Sequence, residues 1–292
     1  MKLAGTDFRL GRQILRGLSQ CAFQTNEITG ILFVVAVAIF SWRMAIFYAV
    51  SAAIGTLVAR LLKADGELLD QGLFGFNSAL MGLALGNFFH PNPALWLWMV
   101  VFAVVAAIVT VAMAKWLRLP FLAAPFILTL WAMWPVADAL GLARIELDAF
   151  PAVPWTWSTA VASALGSTLF SPNPITGVIF LVGIAISNWR HAIVAVIGAL
   201  TAIALAAHVG AEGSAISSGF VGFNAVLAAL AAYVIVGKDL RFVVLAAVLS
   251  TWLASYIYRG APVPVLASGF VVAIWLELAV GWLNARFAGK DR

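Results

Sequence analysis

The chain repeats itself. Gln24-Thr25-Asn26-Glu27-Ile28-Thr29-Gly30 is matched 147 positions later by Ser171-Pro172-Asn173-Pro174-Ile175-Thr176-Gly177. Trp42-Arg43 returns as Trp189-Arg190, and Gly72-Leu73-Phe74-Gly75-Phe76-Asn77 as Gly219-Phe220-Val221-Gly222-Phe223-Asn224. After a slip of three residues, Leu119-Pro120-Phe121-Leu122-Ala123-Ala124-Pro125-Phe126 is matched by Val263-Pro264-Val265-Leu266-Ala267-Ser268-Gly269-Phe270. Four blocks in one order at near-constant spacing mark a duplication. Whatever one half folds into must therefore pack against a copy of itself.

Composition decides the solvent. Of the 292 residues, 64% are hydrophobic and 10% charged, with mean hydropathy +1.04. A soluble domain is nearer 45–50% apolar and about 25% charged, so an ordinary soluble enzyme, a nucleic-acid module and a disordered chain are excluded. At about 20 apolar residues per span, the length allows roughly ten helical crossings. The single cysteine, Cys21, excludes a disulfide within the chain and a cysteine metal cluster. His90, His191 and His208 share no ligand spacing. Neither a metal nor a cofactor is expected, nor is an enzyme: no nucleophile–base motif is present.

The net charge of +5 fits Lys and Arg held on the cytoplasmic side. Lys2, Arg9, Arg12 and Arg16 stand against Asp7 at the start, and Arg286, Lys290 and Arg292 against Asp291 at the end. The middle instead sets Arg144 against Asp138, Glu146 and Asp148. No signal-peptide pattern follows the basic start. Both termini are expected in the cytoplasm of a multi-pass cell (inner) membrane protein, with the middle outside. Each half then crosses an odd number of times, and its copy enters from the opposite side. The expected fold is an all-α polytopic membrane protein of two inverted repeats, each of about five transmembrane helices plus a re-entrant or tilted pore helix. Residues 1–134 form the first repeat, 135–154 an extracytoplasmic linker and 155–292 the second repeat.

Within each half, Ile28–Ser41 and Pro174–Ser187 are short apolar runs, while Leu95–Ala114 and Phe242–Tyr258 read as full spans. Trp96, Trp98, Trp131, Trp134, Trp155 and Trp157 cluster at expected span ends, which suits an interfacial belt. The Gly-x-x-Gly-Phe-Asn segments and the proline stretches interrupt the hydrophobic pattern at matching places in both halves. Broken segments survive at membrane depth only where protein or a cavity satisfies the backbone. They mark the expected pore.

No charge is repeated at those interruptions, as charge rings for ions would require. Aromatic faces are repeated instead: Phe23 with Phe170, and Phe76 with Phe223. Facing rings make a flat slot suited to a small planar neutral solute, whose N–H groups need acceptors along one edge. For any one Phe, packing in a bundle core is the commoner fate; the repeated placement beside Gly and Asn strengthens the joint reading.

These blocks resemble the urea transporter family. Leu18-Ser19-Gln20-Cys21-Ala22-Phe23-Gln24-Thr25-Asn26-Glu27-Ile28-Thr29-Gly30 is similar to that family's stretch of Gln, Phe, then Asn-Asn-Pro-x-Thr-Gly. Gly72-Leu73-Phe74-Gly75-Phe76-Asn77 and Leu119-Pro120 with Pro125-Phe126 resemble its other two signatures. The resemblance runs from about Arg16 to about Leu276. It implies a passive, channel-like urea carrier in the lipid bilayer, one pore per subunit, assembled as a homotrimer and with no nucleic-acid partner. By the same resemblance Gln20, Phe23, Phe76 and Leu80 line the pore in the first half. Ser167, Phe170, Phe223 and Leu227 line it in the second.

The chain departs from the pattern where Ala123 and Ala267 replace a mid-pore Thr in each half, and Ser167 replaces Gln or Glu. An unmet polar group at such a place costs about 1–3 kcal/mol. A short amide or ammonia is the alternative permeant. An ion-coupled symporter using Glu27 or Glu277 is a second class, and a non-conducting membrane assembly or sensory protein a third.

Overall fold

A computed structural model describes residues 2–145, 154–260 and 262–288. Glu146 and Asp148 of the acidic middle, and Lys290, Asp291 and Arg292 of the tail, lie outside the described residues. The first half runs α1 (Lys2–Ser19), α2 (Glu27–Phe40), α3 (Trp42–Leu61), α4 (Gly66–Asp70), α5 (Phe76–Phe88), α6 (Pro93–Trp116) and α7 (Ala124–Met133). The second runs α8 (Trp157–Ser167), α9 (Pro174–Ser187), α10 (Trp189–His208), α11 (Gly213–Ser217), α12 (Phe223–Ala231), α13 (Leu240–Gly260) and α14 (Ser268–Ala288). Among the described residues there is no strand, only an isolated bridge between Phe89 and Arg144.

The repeat in sequence is a repeat of helices, and the caps explain why. Asn26 and Asn173 each accept a backbone N–H of the helix that follows, and Ser41 and Asn188 do the same for α3 and α10. Ser41 and Asn188 are extended single-residue links that end α2 and α9 and begin α3 and α10. The three-residue slip falls inside the long helices: α6 has 24 residues and α13 has 21.

Among the described residues, four helices are long and apolar enough to cross a membrane: Trp42–Leu61, Pro93–Trp116, Trp189–His208 and Leu240–Ile257. A fifth candidate is the pair Phe8–Ala22 and Glu27–Phe40, bent by 68°. Shorter apolar helices fill the rest, among them Ala124–Val136, Phe223–Val236 and Ser268–Asn284.

The halves meet through reciprocal contacts. Thr29 Oγ1 donates to Gly183 O at 2.7 Å, and Thr176 Oγ1 donates to Ala36 O at 3.1 Å. Trp131 Nε1 donates to Pro264 O at 2.8 Å, and Trp275 Nε1 to Pro120 O at 2.9 Å. Each contact is the other's image under exchange of the halves, which is the signature of an approximate two-fold relation. Trp131, whose place in the sequence suits an interfacial anchor, is instead half-buried and ties the halves together. The repeated Thr-Gly also has a packing reason: a Cβ at Gly30 or Gly177 would overlap Leu15 O or Ala162 O, so α1 on α2 and α8 on α9 pack backbone to backbone.

The bundle has two ends. Arg12 and Arg16 of α1 pair with Glu27 at 2.8 and 2.9 Å, and Arg60 at the end of α3 donates to Gln13 at 2.7 Å. Arg9 grips Asp70 of α4 with a fork at 2.8 and 2.6 Å, and Gln13 adds a third bond at 2.6 Å. The hydrogen bonds from Arg9 and Gln13 hold the Asp70 carboxyl down at about 2. At the opposite end, the segment after α7 is pinned to α5: His90 N donates to Ala143 O at 2.9 Å and Ile145 N to Phe88 O at 2.8 Å.

Candidate functional site

Two equivalent turns carry the residues singled out in the sequence. At the Glu27 end, α1 tightens into a 3₁₀ turn over Gln20–Ala22 and closes on Phe23 in the left-handed region, φ 59°. Its counterpart, Phe170 after α8, has φ 55°. A non-glycine residue is uncommon there, and its recurrence at both positions is a second mark of the duplication. Gln20 Nε2 donates to Gln71 O at 2.8 Å and Thr25 Oγ1 at 3.0 Å; Ser167 Oγ donates to Ser218 O, the equivalent carbonyl, at 3.0 Å. Among the described residues nothing donates to Gln20 Oε1.

Each turn is closed by a ring from the other half. Phe23 meets Phe270 edge-on with centroids 6.2 Å apart, and Phe170 meets Phe126 edge-on at 6.2 Å. Phe126 and Phe270 are themselves equivalent. Phe170 has a further edge-on neighbour, Phe88 at 5.8 Å, whose counterpart in the repeat is Ile235. The two ends are therefore furnished differently.

The interrupted segments start helices inside the protein, three of them short (α5, α7 and α12) and one, α14, of 21 residues. Asn77, second residue of α5, accepts the N–H of Phe126 at 3.2 Å and donates Nδ2 to Leu122 O at 3.1 Å. Asn224, second residue of α12, does the same to Phe270 N at 3.0 Å and Leu266 O at 3.0 Å. Leu122 and Leu266 are left-handed, φ 48° and 50°. Each Asn thus caps a neighbouring helix from outside it, satisfying buried donors and carbonyls that the broken backbone leaves free. The starts of α5 and α7 consequently meet in the first half and those of α12 and α14 in the second, buried in the bundle and each presenting the positive end of its dipole.

Phe76, Leu80, Ala123, Leu227 and Ala267 are buried in one core cluster, and Phe23, Phe170 and Phe223 pack against it. The touching rings at the two turns stand edge to face, the arrangement that the aromatic quadrupole favours, rather than as facing plates. Among the described residues, the parallel pair that includes an expected pore Phe is Phe76–Phe121, 6.0 Å apart and 18° from parallel. A solute between rings needs about 7 Å, twice an atomic contact distance. Reading the sequence alone misses Phe88, Phe126 and Phe270. Phe126 and Phe270 lie inside a repeated block that offers the signal, whereas Phe88 has no aromatic counterpart.

Two singled-out acids have different surroundings. Glu27 is held by Arg12 and Arg16, so it fastens α1 to α2. Glu277 is buried at 9% exposure, and neither of its oxygens has a hydrogen-bond partner among the described residues.

A model of the family described as "Urea transporter" matches residues 12–281. The chain is 29% identical over 244 residues to urea transporter 1 of Mus musculus, covering 75% of this chain and 61% of that protein. It is 28% identical over 243 residues to urea transporter 1 of Rattus norvegicus, with the same coverage, and 28% identical over 239 residues to that of Ovis aries. The chain spans about three fifths of the length of the curated relatives it matches.

Proposed function

The chain belongs to the urea transporter family, and from that premise we propose that it is a passive urea channel rather than an enzyme, conducting through the interface of its two halves. The observation that carries the reading is the pair of matched turns, Gln20 to Phe23 and Ser167 to Phe170, each closed by a ring from the opposite half.

Urea enters at one turn, loses water among Phe rings and leaves at the other. At the Glu27 end Gln20 Oε1 accepts a solute N–H while its Nε2 stays anchored on Gln71 O. Phe23, Phe76 and Leu80, with Phe170, Phe223 and Leu227, form the apolar walls, and Ser167 offers its oxygen at the far turn. Ala123 and Ala267 flank the middle, each just before a helix whose start meets that of a second helix of its own half. The positive ends of these helices repel cations and orient a carbonyl oxygen, so a neutral planar amide passes where ammonium does not.

The antiparallel run of α2 and α9 supports an inverted topology: with helices across the bilayer, a two-fold axis that exchanges them lies in the membrane plane. The repeats are 1–134 and 155–292, joined by 135–154. Arg12, Arg16, Arg60, Lys63, Lys115, Arg118, Arg190, Lys238, Arg241 and Arg286 sit on elements at the Glu27 end. Arg43, Arg144 and Arg259 belong to the other. That imbalance supports a cytoplasmic Glu27 end in the inner membrane, with both termini inside. The assembly is a homotrimer, as the family resemblance implies.

Stopped-flow urea efflux from proteoliposomes without an ion gradient, beside thiourea, acetamide and ammonia, tests this. Fast saturable urea flux supports it; flux of another solute alone moves the substrate. The unpartnered Glu277 favours one second reading, ion coupling. That reading requires urea movement only under an imposed proton or sodium gradient.

A further inference from the structure

Resting on the channel reading, we propose that Arg144 is a selectivity determinant that keeps planar cations out of the Phe170 end of the pore. The aromatic surroundings of that end create the need. Phe170 meets Phe88 and Phe126, and Phe88 meets Trp134 at 5.5 Å. Ring faces attract cations, and a guanidinium ion has the flat shape and N–H groups of urea with a charge added. An aromatic mouth built for urea would be plugged by such ions.

Arg144 answers that problem by position. A cavity of about 360 Å³ opens beside Phe88 and is walled by Trp134, Arg144, Pro262 and Pro264. The guanidinium lies over the Trp134 ring, 5.0 Å from its centroid, so it occupies an aromatic face that a solute cation would take. It is fixed there: Nη2 donates to Trp134 O at 2.6 Å, and the backbone of Arg144 bridges to Phe89. Asp138 approaches Nη1 at 3.3 Å, but its side chain is 72% exposed and is not part of the cavity wall. Water screens that carboxylate more than it screens the charge facing the cavity. The repeat supplies no such device at the other end by descent, because Trp134 corresponds to Leu278 and Phe88 to Ile235.

The test is urea efflux from proteoliposomes with and without millimolar guanidinium chloride, in wild type, Arg144→Gln and Arg144→Lys. Wild type and Arg144→Lys should be unaffected, whereas guanidinium should slow Arg144→Gln about threefold or more, the scale of an exposed cation–π contact. Equal sensitivity of wild type and Arg144→Gln overturns the proposal. Should Arg144→Gln not fold, the wild type alone decides. At 1 M NaCl, where the screening length is about 3 Å, guanidinium should begin to slow it, and insensitivity there counts against a charge barrier. Absence of urea flux before guanidinium is added is the separate failure of the channel reading.

Discussion

Phe33 on α2 and Phe180 on α9 stack with their ring centroids 4.6 Å apart and their planes 21° from parallel. They are equivalent positions, and a residue can meet its own counterpart only on the axis that exchanges the halves. Both are fully buried, so the pair is where the two repeats are pinned to each other. Thr29 and Thr176, bonded to Gly183 and Ala36, flank it symmetrically.

Phe33→Ala and Phe180→Ala should each destabilise the protein by about 3 kcal/mol through the cavity they leave. The double variant should cost less than the sum, because both truncations open one shared space. Thermal unfolding of the purified protein in detergent measures all three. Full additivity would mean that the two rings do not depend on each other.

Asn77→Ala should cost about 1–3 kcal/mol, because Leu122 O and Phe126 N lose their partner in a buried place. Asn224→Ala should cost a similar amount for Leu266 O and Phe270 N. The isosteric Asn→Asp changes keep the acceptor but set a buried carboxylate oxygen against the Leu122 and Leu266 carbonyls, so they should destabilise through an added buried charge as well as the lost donor. A melting series over the four variants would reveal a clamp in both halves. No loss from either Ala variant would remove that role.

The duplication is legible because it needs only residue order, and the helix boundaries fall on it. The apolar runs also locate the long helices, since a span needs little beyond length and hydropathy. What sequence does not show is partnership across the fold. Asn77 and Asn224 are visible as repeated residues, but their targets lie 45 and 42 positions away. Trp131 reads as a member of an aromatic belt because hydropathy says nothing about which carbonyl an indole finds. Phe88 escapes because the repeat has Ile235 in its place, and a reading built on recurrence passes over what one half alone has acquired.

Asp70 predicts an acid-side dependence of stability. Its carboxyl is lowered to about 2 by the Arg9 fork and Gln13, against about 3.9 in an unfolded chain. The folded state therefore favours the ionised form. That contribution is whole above about pH 4 and is lost as pH falls toward 2. The pair is partly exposed, so its worth is at most about 1 kcal/mol. Asp70→Asn should melt below wild type at pH 6 and converge with it near pH 2. A gap that persists at pH 2 would assign the loss to something other than this charge.

Phe126→Ala and Phe270→Ala should change urea flux or its ratio to thiourea flux several-fold. The exposed Phe40→Ala, on the outer side of α2, should change neither. Phe76→Ala and Phe223→Ala belong with the first group. Proteoliposome flux, normalised to the amount of folded protein, makes the comparison. Equal effects at Phe40 and Phe126 would remove the rings from the conduction path.

Ala123→Thr and Ala267→Thr test whether an apolar middle limits flux, and the two are not equivalent. A hydroxyl in the position just before a helix usually accepts the N–H of the second or third helical residue. Before α7 those residues are Pro125, which has no N–H, and Phe126, whose N–H is already taken by Asn77. The hydroxyl introduced by Ala123→Thr is thus left free to meet a passing solute. Before α14 the corresponding residues are Gly269, which carries an N–H, and Phe270, bound by Asn224. The hydroxyl introduced by Ala267→Thr can spend itself on Gly269. Restoring a polar contact worth about 1 kcal/mol should raise flux about fivefold, so Ala123→Thr should gain by roughly that factor and Ala267→Thr by less. Stopped-flow efflux on both variants decides. A larger gain from Ala267→Thr would place the free hydroxyl, and with it the desolvation barrier, in the second half.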